Sequence, residues 1–192
     1  MTGAVAVPDG VRRCPWCLRS GDYLAYHDQE WGRPVHDDVA MFERLSLEAF
    51  QSGLSWLTIL RKRAAFRAAF AGFVPAEIAG FGPADVARLL ADASIVRNRA
   101  KIEAVITNAR AALDLPVGLA DLVWSSAQPS AAAPRTLDEV PSWTPASRAL
   151  AGELRRNGFR FAGPVTVYST MQACGIVNDH LAGCFLQTAR SS

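Results

Sequence analysis

The sequence predicts an all-α fold, a single globular helical domain, and three observations carry that prediction. Apolar residues recur at helical spacing through most of the 192 residues. No stretch sustains the apolar–polar alternation of a half-buried strand. Prolines and glycines stand where helices open and close.

Taken in order, the elements begin after a loose start. Residues 1–10, MTGAVAVPDG, have neither a basic leader nor a continuous apolar run, so they read as a flexible tail rather than a secretory signal. Met41, Phe42, Leu45 and Ala49 then recur at helix spacing, with a break at Gly53. Leu57, Leu60 and Ala64, with Phe66 and Phe70 alongside, predict a second helix. Pro75 and Pro83 each suit the first turn of a short helix, where a missing N–H costs nothing. Ile102, Val105, Ile106, Ala109 and Leu113 form an apolar stripe. Residues 125–141, rich in Ser, Ala and Pro, read as a long surface loop inside one domain, because apolar helices flank them. Thr144–Pro145 looks like a cap and first-turn proline, with Gly158 as the stop. Gly163–Pro164 opens a last helix through Tyr168, Met171 and Cys174. The expected organisation is a tail at 1–10, one domain over 11–188 and a flexible end at 189–192.

Composition narrows the function. Half of the chain is hydrophobic and a fifth charged, which is globular rather than disordered. Twenty basic residues against eighteen acidic give a net charge of +2, so only a local basic patch could serve a nucleic acid. No apolar run approaches the roughly 20 residues of a membrane span, and no membrane partner is expected. Four cysteines, Cys14, Cys17, Cys174 and Cys184, would stay reduced in a cytosolic chain, where metal binding competes with disulfides.

"HLAGC" sets His180 and Cys184 four residues apart. If the segment is helical, both face one way and form half of a tetrahedral zinc site. "CPWC" offers Cys14 and Cys17 for the other half, and His27 in "YHDQEWG" rivals Cys17. Spacing leaves that choice even. It also leaves open that the cysteines are merely buried small groups. Cys174, at helical spacing from Tyr168 and Met171, reads as core.

Several stretches together resemble a known family. "RCPW" (13–16), "YLAYHDQEWG" (23–32), "LEAFQSGLSW" (47–56), "KIEAVITNAR" (101–110) and "YSTMQACGIVNDHLAGC" (168–184) are similar to 3-methyladenine DNA glycosylase I of the bacterial Tag type, within the helix-hairpin-helix glycosylases. The matches run in order across nearly the whole chain. "YHDxEWG" joined to "NDHxxxC" is far more specific than either part.

The resemblance implies one structural zinc per chain, bound by Cys14, His27, His180 and Cys184 and joining the two ends, with Cys17 outside the set. Asp28 then suits a role as the acceptor that orients His27. It implies a DNA-binding helix-hairpin-helix at residues 92–102, with Arg97 and Lys101 as its basic contacts. The usual glycines are Ser94 and Ala100 here, which puts the form of the hairpin turn in question. It implies hydrolysis of the bond between 3-methyladenine and deoxyribose in alkylated double-stranded DNA, by a cytoplasmic, nucleoid-associated monomer. Trp16, Tyr23, Tyr26 and Trp56 supply flat faces for a base with delocalised positive charge, and Ser169 joins them. Glu48 falls on the base-recognising carboxylate and is the catalytic assignment. Its place between Leu45 and Ala49, on the apolar side of a helix, predicts partial burial, although spacing alone also fits an ordinary helix-edge glutamate. Gln51, Gly53 and Leu54 fall on a wedge that fills the gap left by a flipped base. Tag-type enzymes lack the aspartate that assists many related glycosylases, so neither Asp114 nor Asp121 is assigned. The rival from another class is a zinc-stapled, non-catalytic damage-binding protein. Release of free base from methylated DNA separates the two.

Overall fold

A computed structural model describes residues 3–129 and 132–187. Among them nine α-helices follow a short β-hairpin. The hairpin pairs β1 (Val5–Ala6) antiparallel with β2 (Arg12–Arg13), Val5 opposite Arg13. Its turn is fixed by Val11 N–H donating to Asp9 Oδ1 at 2.8 Å. Part of the expected loose tail is therefore paired backbone, and Ala4 is buried against Leu181 and Leu186 at the far end of the chain. A two-residue strand is too short to show as alternation in sequence. The expected flexible end at 189–192 lies outside the described residues.

A short 3-10 helix, Pro15–Arg19, leads into α1 (Gly21–Gln29), which Ser20 caps by accepting from Tyr23 N–H. Helix α2 (Asp38–Gln51) is the centre of the molecule and packs against helices on several sides. It buries the predicted Met41, Phe42, Leu45 and Ala49, and also Leu47 and Phe50. Asp37 caps it through Ala40 N–H. Helix α3 (Trp56–Ala69) differs from expectation. Its buried seam is Ile59, Phe66 and Ala69, while Leu57 and Leu60 are half-buried and Ala64 is exposed. The helix touches the core along one narrow edge, and Arg61 and Arg67 hold its outer faces in ion pairs with Asp22 and Glu43.

Pro75 and Pro83 open α4 (Pro75–Ala79) and α5 (Pro83–Ala91) as predicted. Asn98 caps α6 (Arg99–Leu113), whose stripe is buried except for its last member, Leu113. The sequence did not predict α7 (Leu119–Trp124). Its first turn is capped from a distance, by Asp38 Oδ1 accepting from Ala120 N–H at 2.7 Å. Thr144 caps α8 (Pro145–Arg156), and Gly158, at φ +90°, ends it. Helix α9 (Pro164–Ala173) packs on α8 and α2. Phe42, Phe50, Phe66, Phe70 and Phe73 are fully buried in the main core, each contributing about 1.5–3 kcal/mol by leaving water. No helix among the described residues is long and apolar enough to cross a membrane.

Candidate functional site

The chain ends meet at a cluster of four ligands. Cys14 stands just before the 3-10 helix, His27 on α1, and His180 and Cys184 after α9. One ligand atom from each lies within 4.8 Å of the others, and all four residues are buried. Cys184 Sγ is 3.5 Å from His27 Nε2 and 3.7 Å from His180 Nδ1, and Cys14 Sγ is 3.9 Å from His180 Nδ1. Tetrahedral bonds of about 2.3 Å to sulfur and 2.0 Å to nitrogen put ligand atoms ~3.4–3.8 Å apart. The donors fit a single tetrahedral ion, and their soft sulfur and imidazole chemistry suits a metal such as zinc.

The surroundings orient these ligands. His27 Nδ1 is 2.7 Å from Asp28 Oδ1, which leaves Nε2 to face the cluster. Arg13 Nε donates to Asp28 in turn. Gly32, at φ +77°, passes so close to His180 that a Cβ there would lie 3.0 Å from Nε2. The segment 180–184 is a turn, not the helix that the four-residue spacing presumed. Cys184 N–H donates to Leu181 O, and Gly183 at φ +84° lets the chain double back. Cys17 is fully buried and its thiol lies against His27, yet it falls outside the group of four.

Beside this cluster lies a cavity of about 200 Å³ lined by Trp16, Arg19, Tyr23, Tyr26, Trp31, Glu48, Gln51, Trp56, Ser169 and Gln172. The sequence-named Trp16, Tyr23, Tyr26, Glu48, Gln51, Trp56 and Ser169 therefore share one small space. Trp16 meets Tyr23 edge-on at 5.8 Å between ring centroids, and Tyr26 and Trp56 lie 5.5 Å apart. Leu57 N–H donates to the Tyr23 hydroxyl at 3.0 Å, which pins that wall to the start of α3. Glu48 is 7% exposed. Burial pushes its carboxyl up to about 8, against the pull of Arg44 one helical turn earlier. Arg44 is itself paired with Glu30, which Arg63 grips with two further hydrogen bonds. Glu48 thus faces the aromatic cavity without a hydrogen bond from Arg44.

Beyond α2 the chain turns at Gly53, φ +80°, and lifts Leu54 into solvent at 42% exposure. Gln51 lines the cavity next to this turn. Helices α5 and α6 are joined by the loop 92–98. Asp92 Oδ1 accepts from Ser94 N–H and Ser94 Oγ, so a side-chain turn built on Ser94 stands where the glycine was expected. Ile95 anchors the loop and Arg97 is exposed. Lys101 requires correction. Its side chain is buried, and Nζ donates to Phe50 O and Ser52 O, so it is not a free phosphate contact. Asp114 ends α6 and Asp121 lies on α7, and neither lines the cavity.

The sequence pattern that describes methyladenine glycosylases matches residues 16–187. The chain belongs to the methyladenine glycosylase family. It is 46% identical over 179 residues to DNA-3-methyladenine glycosylase 1 of Escherichia coli, covering 91% of this chain and 96% of that one. A crystal structure of 3-methyladenine DNA glycosylase I superposes with a TM-score of 0.87 at 48% identity, covering 90% of this chain and 98% of the other. A second, in complex with 3-methyladenine, gives 0.86 at 33% identity over 91% and 97%.

Within this methyladenine glycosylase, Trp31, Gln172 and Arg19 also line the cavity, and sequence reasoning missed them. Trp31 sits inside "YHDQEWG", close in sequence to the named Tyr26 and His27. Gln172 follows Ser169 by three residues on α9, a spacing that puts both on one face. Arg19 carries no signal in the sequence.

Proposed function

We propose that this chain hydrolyses the N-glycosidic bond of 3-methyladenine in alkylated double-stranded DNA, releasing the free base and leaving an abasic site. One observation carries the reading. Glu48 presents a buried carboxyl, one helical turn from Arg44, to a cavity walled by aromatic rings. A buried carboxylate needs a partner, and a purine with delocalised positive charge and an exocyclic amine supplies both charge and donor.

Methylation at N3 weakens the glycosidic bond by making the base a cationic leaving group. The C1′–N bond breaks, its electron pair neutralises the base, and water adds to the oxocarbenium-like sugar with loss of a proton. The protein's part is to extrude the nucleotide, stack its base between Trp16, Tyr26 and Trp56, and hold it against Glu48. Glu48 acts by recognition and electrostatics rather than as a strong general acid. The wedge Gln51–Leu54 fills the vacated stack, and loop 92–98 with the start of α6 serves as the helix-hairpin-helix grip, Arg97 supplying charge. Zinc suits Cys14, His27, His180 and Cys184, and when bound it supplies a structural link rather than catalysis, because four protein ligands leave no open position. The enzyme acts as a monomer in the bacterial cytoplasm, at the nucleoid. Purified protein is expected to release 3-methyladenine from methylated duplex DNA. Binding to that DNA without release would favour a damage-binding protein instead.

A further inference from the structure

Lys101 is the third residue of α6. Asn98 Oδ1 accepts from its backbone N–H at 3.1 Å, so its main chain belongs to the turn between α5 and α6. Its side chain runs the other way. It is 7% exposed, and Nζ donates to Phe50 O at 2.9 Å and to Ser52 O at 2.6 Å. Phe50 is in the last turn of α2 and Ser52 is its C-cap, where backbone oxygens have no partner within the helix and a cation is favoured. Beyond them, Ser52, Gly53, Leu54 and Ser55 are all exposed. The lysine therefore fixes the inner end of a segment that little else covers. Burial disfavours its charge, so the ammonium is held there at a cost and is engaged on its inner side.

We propose that Lys101 is a positioning residue that ties the α5–α6 hairpin to the wedge, so that docking of the hairpin on the DNA backbone sets the height of Leu54 in the duplex. The proposal rests on the glycosylase reading above. The ammonium acts through the wedge and touches neither phosphate nor base.

The test uses Lys101→Met, which keeps the stem and removes the donor, together with Leu54→Ala and the double variant. Lys101→Met is expected to lower base release from methylated duplex roughly tenfold to hundredfold, the scale of a lost charge-assisted hydrogen bond. Affinity for free 3-methyladenine should stay at the wild-type value, because the cavity is intact. The salt slope of duplex binding should also be unchanged. The double variant should lose no more than the worse single variant, since the two residues act as one unit. Wild-type release by Lys101→Met overturns the proposal. So does parallel loss of free-base affinity, which marks a general structural role, and so does a salt slope reduced by about one, which marks a phosphate contact. If Lys101→Met does not fold, Lys101→Gln, whose neutral amide has shorter reach, is expected to give an intermediate loss with the same unchanged slope, and full release by it overturns the proposal. Wild-type protein that releases no base overturns the glycosylase reading as well.

Discussion

At the scale of the residue, Glu48 is where packing and chemistry meet. Glu48→Gln keeps most of the shape and removes the charge. A charge-assisted hydrogen bond of about 1.5–3 kcal/mol is lost, so excision of 3-methyladenine and affinity for the free base should both fall roughly tenfold to hundredfold. Affinity for undamaged duplex should not change. A larger loss in turnover than in base affinity would make Glu48 a general acid. The pH dependence follows from the same carboxyl. With the cavity empty, Glu48 holds its proton up to about pH 8 because it is buried. Pairing with a cationic lesion requires the carboxylate, so binding below that pH releases a proton. Affinity for alkylated DNA should rise by up to about tenfold per pH unit toward 8 and then level off. Stability runs the opposite way. The folded pKa lies above the unfolded one, so between about 4.5 and 8 the unfolded chain binds fewer protons and stability falls as pH rises. In Glu48→Gln the contribution of this carboxyl to both slopes should be lost, leaving each flatter than in wild type, as titration of binding and of urea midpoints would read out.

At the scale of the element, the proposed DNA contact divides between two structures that the sequence placed far apart. The loop from α5 to α6 holds its shape by an aspartate–serine turn, and Lys62 on α3 braces it by donating to Ala93 O and Ser94 O. Arg97 is the exposed cation of that loop. Arg97→Ala should weaken binding to methylated and unmethylated duplex alike and lower the salt slope by about one. An unchanged slope would remove residues 92–98 from the phosphate grip. The stripe predicted for α3 held at Phe66 and Phe70 and failed at Ala64, because periodicity reports an apolar face but not which neighbour covers it. Ile59, Phe66 and Ala69 meet the core, and Ala64 does not. Helix α7 was missed for a related reason: its cap comes from Asp38, 82 residues earlier in the chain.

At the scale of the whole molecule, the four-ligand cluster joins residues 14–27 to residues 180–184 and stands directly behind the cavity. Trp31 spans the two sites, 4.6 Å from the His180 ring and 5.1 Å from Trp16 between centroids. A link closing so long a loop stabilises the fold by limiting the unfolded chain. One tightly held zinc per chain is expected by elemental analysis. Cys17→Ser should retain it and His27→Ala should lose it or unfold. Full occupancy in His27→Ala, with loss in Cys17→Ser, would reverse the ligand assignment.

The sequence by itself determined the helical class, the proline-led starts of α4, α5, α8 and α9, and the residue types of the cavity. Local signals carry those features: period, caps, and the chemistry of side chains close together in "YHDQEWG". The family resemblance carried by its motifs also singled out Glu48, and the place of that carboxylate between Leu45 and Ala49 predicted partial burial. The tertiary structure decided what depends on approach between distant segments. Spacing left Cys17 and His27 equal, and in the fold it is His27 that joins Cys14, His180 and Cys184 in a group that could hold a metal ion. It brought His180 and Cys184 together by a glycine turn instead of a helix. It took Lys101 from an expected phosphate contact to the carbonyls of α2, since a charge written in a basic run does not say which way the side chain points.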